Sequence, residues 1–329
     1  MPKLSRPRHG SLQFKRKRAA KMLPRVNWEA ISKKNTEGAG SKGLMGVIGY
    51  KVGMTTVIAR DSTPNSMTKE KKIAIPATII EVPAMKILSV RLYKYGTVKK
   101  EIMNENLDKE LKKKIKLSKK KTDIKKEMEV IEKELGNYDD MRIIVYSIVK
   151  KTGIKRKPDI IEVGINGTME EKLAYVKEKL GKEIIMSEVM KDYELVDVKG
   201  LSRGKGLVGP VKRYGLNLKS HKSEKGVRRP GSLAPWHPAR TTYMSPQAGQ
   251  LGMFTKTTYN VKILTLGKIS ELEKVNRNEG IKNYGMIRTE YLIVRGSIQG
   301  PAKRALIVTT PLRITKKQAK KKFEVVEIQ

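Results

Sequence analysis

The chain contains no cysteine, which excludes disulfides and thiolate metal sites. Histidine is nearly as scarce. His9, His221 and His237 lie far apart, without the spacing of a ligand set. Aromatic residues make up only 5% of the chain and apolar residues 38%, so a core can form but a lean one, and part of the chain should lie outside it. No run of about 18 apolar residues occurs, so no membrane-spanning helix is expected. The opening MPKLSRPRHGSLQFKRKRAAK is basic but has no apolar stretch, which argues against a secretory signal and for a cytoplasmic protein. Acid is the remaining scarcity, with 33 Asp+Glu against 71 Lys+Arg and a formal net charge of +38.

A net charge of about 2–8 suffices for solubility, so this excess calls for a partner. A polyanion is the natural one, because each Lys or Arg set against a phosphate releases condensed counterions. Residues 1–43 carry Lys3, Arg6, Arg8, Lys15, Arg16, Lys17, Arg18, Lys21 and Arg25, with no acid before Glu29. Gly, Ser and Pro interrupt every apolar pattern there. The segment reads either as an extended arm that orders on binding or as a solvated tail.

From Leu44 the texture turns to Val, Ile, Thr and Gly. GVIGYKVGMTTVIARD (46–61) fits two strands with a glycine-marked bend, and KIAIPATIIEV (72–82) and KILSVRLYKY (86–95) fit strands split by Pro83 and Ala84. Strands at this spacing without intervening helix predict a hairpin-rich sheet or small barrel. Residues 99–136 are rich in Lys, Glu, Leu and Met, predicting two charged helices broken near 118–122; Ile124, Met128, Ile131 and Leu135 share one face of the second. RIIVYSIVKK (142–151) and DIIEVGIN (159–166) are predicted strands. Thr168 and Glu171 then form a capping box for a helix that buries Leu173, Val176 and Leu180. Strand character returns at 193–200 and over 262–314, and KKQAKKK opens a C-terminal tail. The fold class predicted is mainly β with an α/β insertion.

The segment between Lys199 and Lys256 has the strongest bias. It holds Lys199, Arg203, Lys205, Lys212, Arg213, Lys219, Lys222, Lys225, Arg228, Arg229, Arg240 and Lys256 against the single acid Glu224, and Pro210, Pro230, Pro235, Pro238 and Pro246 among frequent glycines. A loop of about fifty residues without a core of its own is functional or disordered. Its composition predicts folding against a partner, and its charge predicts which one. Glycine lets backbone approach phosphate while Arg and Lys neutralise it. At its centre GSLAPWHPAR sets Trp236 between prolines that stiffen the chain, the arrangement of a stacking element for unpaired bases. The alternative is a tryptophan folded back onto the protein's own sheet.

Enzymatic readings find little support. Gly38–Gly43 and Gly204–Gly209 match the dinucleotide-binding glycine pattern. The first follows a polar segment and opens a strand; the second is followed by Pro210 and Gly215, which leave no obvious helix. His221 and His237 lack carboxylate partners apart from Glu224, and the acids of 99–136 alternate with lysines as on a solvated face. No metal site, cofactor, catalytic residue or small-molecule substrate is expected. An RNA-modifying enzyme built on a glycine-rich loop and a general nucleic-acid packing protein remain the competing readings.

Six segments in order, PRHGSLQFKRKRA (7–19), GVIGYKVGMTTVIARD (46–61), VKGLSRGKGLVGPVKRYG (198–215), APWHPAR (234–240), QAGQLGMFTKT (247–257) and GSIQGPAKRALIVTTPLR (296–313), resemble the universal large-subunit ribosomal protein three family in its archaeal and eukaryotic form. The resemblance implies a six-stranded, translation-factor-like β-barrel with long basic extensions. The implied division is a basic arm (1–43), barrel (44–98), α/β insertion (99–191), return strand (192–213), RNA-penetrating loop (214–256), barrel (257–314) and tail (315–329). It implies a structural role in the large subunit, early in assembly, with the loop reaching towards the peptidyl transferase centre and Trp236 at its tip. The partners implied are large-subunit rRNA and neighbouring large-subunit proteins in the cytoplasmic ribosome, with no membrane. The rRNA-binding candidates are Arg6, Arg8, His9, Lys15, Arg16, Lys17 and Arg18 in the arm. In and around the loop they are Arg203, Lys205, Lys212, Arg213, Lys219, His221, Lys222, Lys225, Arg228, Arg229, Trp236, His237, Arg240, Gln247, Gln250 and Lys256. Eukaryotic members carry a histidine where this chain has Glu224, so no role tied to that histidine carries over.

Overall fold

The computed structural model describes residues 18–36, 43–117, 123–222, 225–237, 239–241, 245–269, 275–276 and 278–329. The chain divides into two compact units, one comprising residues 1–21 and 201–255 and the other residues 22–200 and 256–329. In chain order the helices are α1 (Trp28–Thr36), α2 (Ile124–Lys133), α3 (Met169–Lys179), α4 (Met186–Met190), α5 (Pro210–Tyr214) and α6 (Lys316–Ala319). The strands are β1 (Gly43–Leu44), β2 (Gly46–Asp61), β3 (Lys72–Val82), β4 (Met85–Lys94), β5 (Thr97–Met103), β6 (Asp140–Ser147) and β7 (Ile160–Asn166), then β8 (Leu195–Leu201), β9 (Gly206–Val208), β10 (Gly249–Leu251), β11 (Thr255–Gly267), β12 (Glu290–Arg295), β13 (Ala305–Thr309) and β14 (Phe323–Ile328).

The fold is mainly β, with few helices. In the larger unit one sheet runs β13-β8-β11-β12-β3-β2-β14, with β13 pairing β2 as well as β8; a second runs β1-β7-β6-β4-β5. The organising element is β2. Its first half pairs β13 (Ile48 opposite Ile307) and its second half pairs β14 (Val57 opposite Ile328), while β3 follows its other edge from Tyr50↔Glu81 to Arg60↔Lys72. The bend expected within 46–61 is a register shift between Lys51 and Gly53 inside one strand, the extra residue absorbing the twist of so long an element. Gly46–Tyr50 are buried on both faces, whereas further along Val57 and Ala59 are buried and Arg60 is exposed. That alternation is the period-two signature of a half-covered sheet.

A continuous apolar core joins the two sheets of this unit, drawing on Val47, Ile48, Ile80, Ile87, Val90, Val145, Val163, Leu292 and Ile307. The capping box forms: Thr168 Oγ1 accepts from the Glu171 amide at 3.4 Å and a Glu171 carboxylate oxygen accepts from the Thr168 amide at 3.0 Å. Leu173 and Val176 lie on the buried face as expected, while Leu180 is half-buried.

Three expectations need correction. Residues 99–103 continue β5 and residues 109–113 form a 3₁₀ turn, so only α2 represents the two helices expected over 99–136. The lysine-rich composition suited a helix, but pairing with β4 (Val90 opposite Ile102) supplies non-local hydrogen bonds that override propensity. Within 1–43, Trp28 begins a helix and is buried together with Ile31; its indole N–H donates to the Glu162 carbonyl at 2.9 Å. Residues 315–329, read as a tail, form α6 and the edge strand β14.

Candidate nucleic-acid interface

The smaller unit is built on a short antiparallel ladder. Leu207 lies opposite Gln250 and Val208 opposite Gly249. Below these the Lys205 amide donates to the Leu251 carbonyl at 3.0 Å and the Ser202 amide to the Phe254 carbonyl at 2.9 Å. The ladder closes because Gly252 turns at φ +83°, in the left-handed region; a Cβ there would run into the Arg203 carbonyl oxygen and lie 2.9 Å from Gly204 Cα. The next residue, Met253, also has positive φ, and its carbonyl accepts from the Ala19 amide at 2.8 Å. Residue 19 of the N-terminal segment is thereby tied to the ladder.

After β9 the chain does form a helix, contrary to expectation. Pro210 occupies its first turn, where no amide partner is needed, and Gly215 ends it in the left-handed conformation. The glycine pattern 204–209 still makes no phosphate cradle, because Gly206–Val208 are committed to a strand pairing with β10. Arg213, on this helix, donates to the carbonyls of Gln247 (3.0 Å), Gln250 (3.3 Å) and Ala248 (3.4 Å) and stacks over the Tyr214 ring. Gln250 Nε2 donates to Leu251 and Gly252 carbonyls at 3.2 and 3.3 Å. Arg213 and Gln250, two candidates for RNA contact, thus use donors to bind the hairpin to itself. Their bulky polar character marked them in the sequence, but only the fold shows where those donors point.

The other candidates divide by exposure. Arg18, Arg203, Lys205, Lys212, His221, Lys222, Lys225, Arg228, Arg229, Trp236, His237, Arg240, Gln247 and Lys256 are exposed, and Lys219 is half-buried. Arg6, Arg8, His9, Lys15, Arg16 and Lys17 lie outside the described residues, as does Glu224. Lys199 differs from the loop cations: it sits within β8, where burial lowers its pKa and Asp197 opposes the shift. Between Lys219 and Ser245 the backbone is pinned at a few points. The Lys219 amide bonds the Val227 carbonyl at 3.1 Å, Ser232 Oγ the Ala234 carbonyl at 2.9 Å and Ser245 Oγ the Leu233 carbonyl at 2.7 Å. Trp236 is 89% exposed, and among the described residues its ring meets the edge of His237 at 6.4 Å between centroids. The described residues of its own unit leave it uncovered.

Two cations about 10 Å apart in water repel by roughly 0.4 kcal/mol. A cluster of them with no acid among the described residues of the segment adds nothing to the unit's stability and creates a positive field open to a polyanion. An exposed indole offers its ring for stacking. Among the described residues no group of three or more His, Asp or Glu could hold a metal ion, and no helix is long and apolar enough to cross a membrane.

A family profile described as ribosomal protein L3 matches residues 1–328. The chain is similar to proteins named large ribosomal subunit protein uL3 from three archaea. With that of Methanosphaera stadtmanae it shares 36% identity over 97% of this chain and 95% of the relative. With that of Archaeoglobus fulgidus it shares 38% over 94% and 93%. With that of Methanococcus maripaludis it shares 37% over 99% and 96%.

Proposed function

The chain belongs to the ribosomal protein L3 family, and from that premise we propose the following account of what it does and how. It is a structural constituent of the large ribosomal subunit, in the cytoplasmic ribosome, and not an enzyme. It binds large-subunit rRNA and neighbouring ribosomal proteins, and it supports assembly of the subunit. The observation that carries the mechanism is the 201–255 unit, where many exposed cations flank in sequence an indole that is 89% exposed. Arg203, Lys205, Lys212, Lys222, Lys225, Arg228, Arg229 and Arg240 neutralise phosphates, Trp236 stacks on an unpaired base, and Arg213 and Gln250 keep the hairpin in shape for both. The loop extends towards the peptidyl transferase centre, as the family resemblance implies, and residues 6–18 contact the same RNA.

The ring of pairings β13-β8-β11-β12-β3-β2, returned to β13 by its second partner β2, supports reading this sheet as the six-stranded, translation-factor-like barrel. Its strands then come from residues 46–82, 195–201, 255–267 and 290–309, whereas β4 pairs with β5 and β6 in the second sheet and residues 206–208 pair with β10, so the insertion begins near residue 85 and not at 99, and the return strand ends near 201 and not at 213.

Ultraviolet crosslinking of the tagged protein in its own cells, with sequencing of the bound RNA, tests the account. Crosslinks concentrated on large-subunit rRNA, with Trp236 contacts near the peptidyl transferase centre, are expected. Reads spread evenly over mRNA, tRNA and DNA would instead mark a general packing protein and overturn it.

A further inference from the structure

A second group of exposed cations lies outside the loop, in the connection between β6 and β7. Residues 149–158, VKKTGIKRKP, begin with a 3₁₀ turn closed by Gly153 in the left-handed conformation. Thr152 Oγ1 donates to the Val149 carbonyl at 2.7 Å, and Lys114 Nζ donates to the Pro158 carbonyl at 2.9 Å. The connection ends at Asp159, which is buried. Its carboxylate accepts from the Tyr50 hydroxyl at 2.7 Å and pairs with Lys155, whose ammonium also lies 5.1 Å from the centre of the Tyr50 ring. Ser147 Oγ accepts from the Asp159 amide at 3.1 Å and bonds the Tyr50 hydroxyl at 2.8 Å.

A second buried carboxylate fixes the neighbouring segment. Glu81 has no exposed surface and accepts from the Tyr284 hydroxyl, the amides of Arg288 (2.8 Å) and Thr289 (2.9 Å), and Thr289 Oγ1 (3.0 Å). The Arg288 side chain then lies against the first turn: a Cβ added at Gly153 would be 3.2 Å from its Nη1. Burial, and after it the nearby carboxylates, push the phenols of Tyr50 and Tyr284 well above their ordinary range. Both tyrosines therefore stay protonated donors to Asp159 and Glu81.

Two buried, fully bonded carboxylates thus hold two surface segments side by side. Polar networks of this kind rigidify what they bind and are costly if left incomplete. On this base Arg156, Lys157 and Arg288 are exposed and form no ion pair with a described residue. A loop that served only solubility would need no such anchoring, whereas cations at fixed positions suit a ligand whose charges are also fixed. We propose that residues 149–158 together with Arg288 form a second docking site for the phosphate backbone of folded rRNA, separate from the 201–255 loop. Arg156, Lys157 and Arg288 are the contacting groups, and Lys155, held by Asp159, is a positioning residue. The proposal rests on the ribosomal reading above.

The test compares full-length wild-type protein, an Arg156→Gln/Lys157→Gln/Arg288→Gln variant, an Arg228→Gln/Arg229→Gln variant and a variant combining all five substitutions. Each is titrated onto in vitro transcribed large-subunit rRNA at several salt concentrations, and its melting curve is recorded. Each phosphate contact contributes about 0.7–0.9 to the salt slope. The first variant should therefore show a slope shallower by about 2, and an affinity about a hundredfold weaker near 0.15 M salt. Its melting curve should be unchanged, because the three side chains are exposed. The loop variant should lose contacts independently, so that the combined variant shows the sum. A first variant that binds with wild-type slope while the loop variant weakens overturns the second site and leaves the ribosomal reading intact. The same holds if it binds rRNA normally but fails to enter subunits on a gradient, which would make the site a protein contact. A wild-type chain without preference for its rRNA over unrelated RNA of equal length overturns both.

Discussion

Replacing Gly252 by alanine tests whether the neck of the basic loop is held by backbone geometry. The residue turns at φ +83°, and an added Cβ would overlap the Arg203 carbonyl oxygen and sit 2.9 Å from Gly204 Cα. Adopting that region costs an L-residue about 1–2 kcal/mol before any clash. Relieving the clash requires Arg203 and Gly204 to move away from Gly252. That movement breaks or stretches the bonds Lys205 N–H to Leu251 C=O and Ser202 N–H to Phe254 C=O, each worth about 1 kcal/mol net. The sum is about 3–4 kcal/mol, concentrated in a unit where few described side chains are buried and little else can compensate. Amide hydrogen exchange on the full-length protein reads it locally. Protection of the Ser202 and Lys205 amides should fall by roughly two to three orders of magnitude or to the unprotected limit, while amides of β3 and β12 keep wild-type rates. Affinity for large-subunit rRNA should fall as the loop loses its shape. Wild-type protection at Ser202 and Lys205 in the alanine variant would refute the reasoning.

Trp236→Ala should leave the melting temperature within the equivalent of about 0.5 kcal/mol, since the side chain is exposed. Bulk RNA affinity should also hold, because phosphate contacts dominate it, while translation is disturbed. Wild-type growth and an unchanged response to drugs acting at the catalytic centre would sink that role. Arg213→Lys keeps the charge but loses the planar fork that reaches three carbonyls. Exchange of the β9–β10 amides should speed up by about tenfold or more with the RNA salt slope unchanged, and a changed slope with intact protection would instead make Arg213 a phosphate contact. Asp61 accepts hydrogen bonds from the Thr63 amide (3.0 Å) and from the Thr68 and Ser66 hydroxyls, and Thr63 leads the groups that hold its carboxyl far below the ordinary carboxylate range. A depressed folded-state pKa stabilises above the unfolded value and ceases to do so as pH falls through the folded one. The melting difference between wild type and Asp61→Asn should therefore shrink as pH drops below about 4; a difference constant from pH 7 to pH 3 would contradict this.

The sheet strands and the capped helix α3 were legible because their signals are local. Alternating β-branched residues mark 72–82, and Thr168 with Glu171 mark a helix start whatever surrounds them. The basic loop was legible for the opposite reason: its lack of apolar residues and acids rules out a core of its own. What the sequence obscured depends on distant partners. Lys99 and Lys100, at the start of the 99–136 stretch, read as helical until Val90 and its neighbours offer a paired edge. Trp28 looked like part of a basic arm, although the Glu162 carbonyl, far away in sequence, receives its indole N–H.

Composition and motif by themselves determined the class of partner and the family, since a charge of +38 and the ordered blocks of 7–19 through 296–313 are properties of the chain alone. Only the tertiary structure decided which cations are available. Arg213 and Arg228 are indistinguishable as letters, yet one is bonded to three carbonyls of its own hairpin and the other faces solvent. Likewise the segments that carry Arg156, Lys157 and Arg288 are held in place only because Asp159 and Glu81 are buried and bonded beneath them. Charge adds along a sequence, but the direction of a donor is set by the backbone that folding brings beside it.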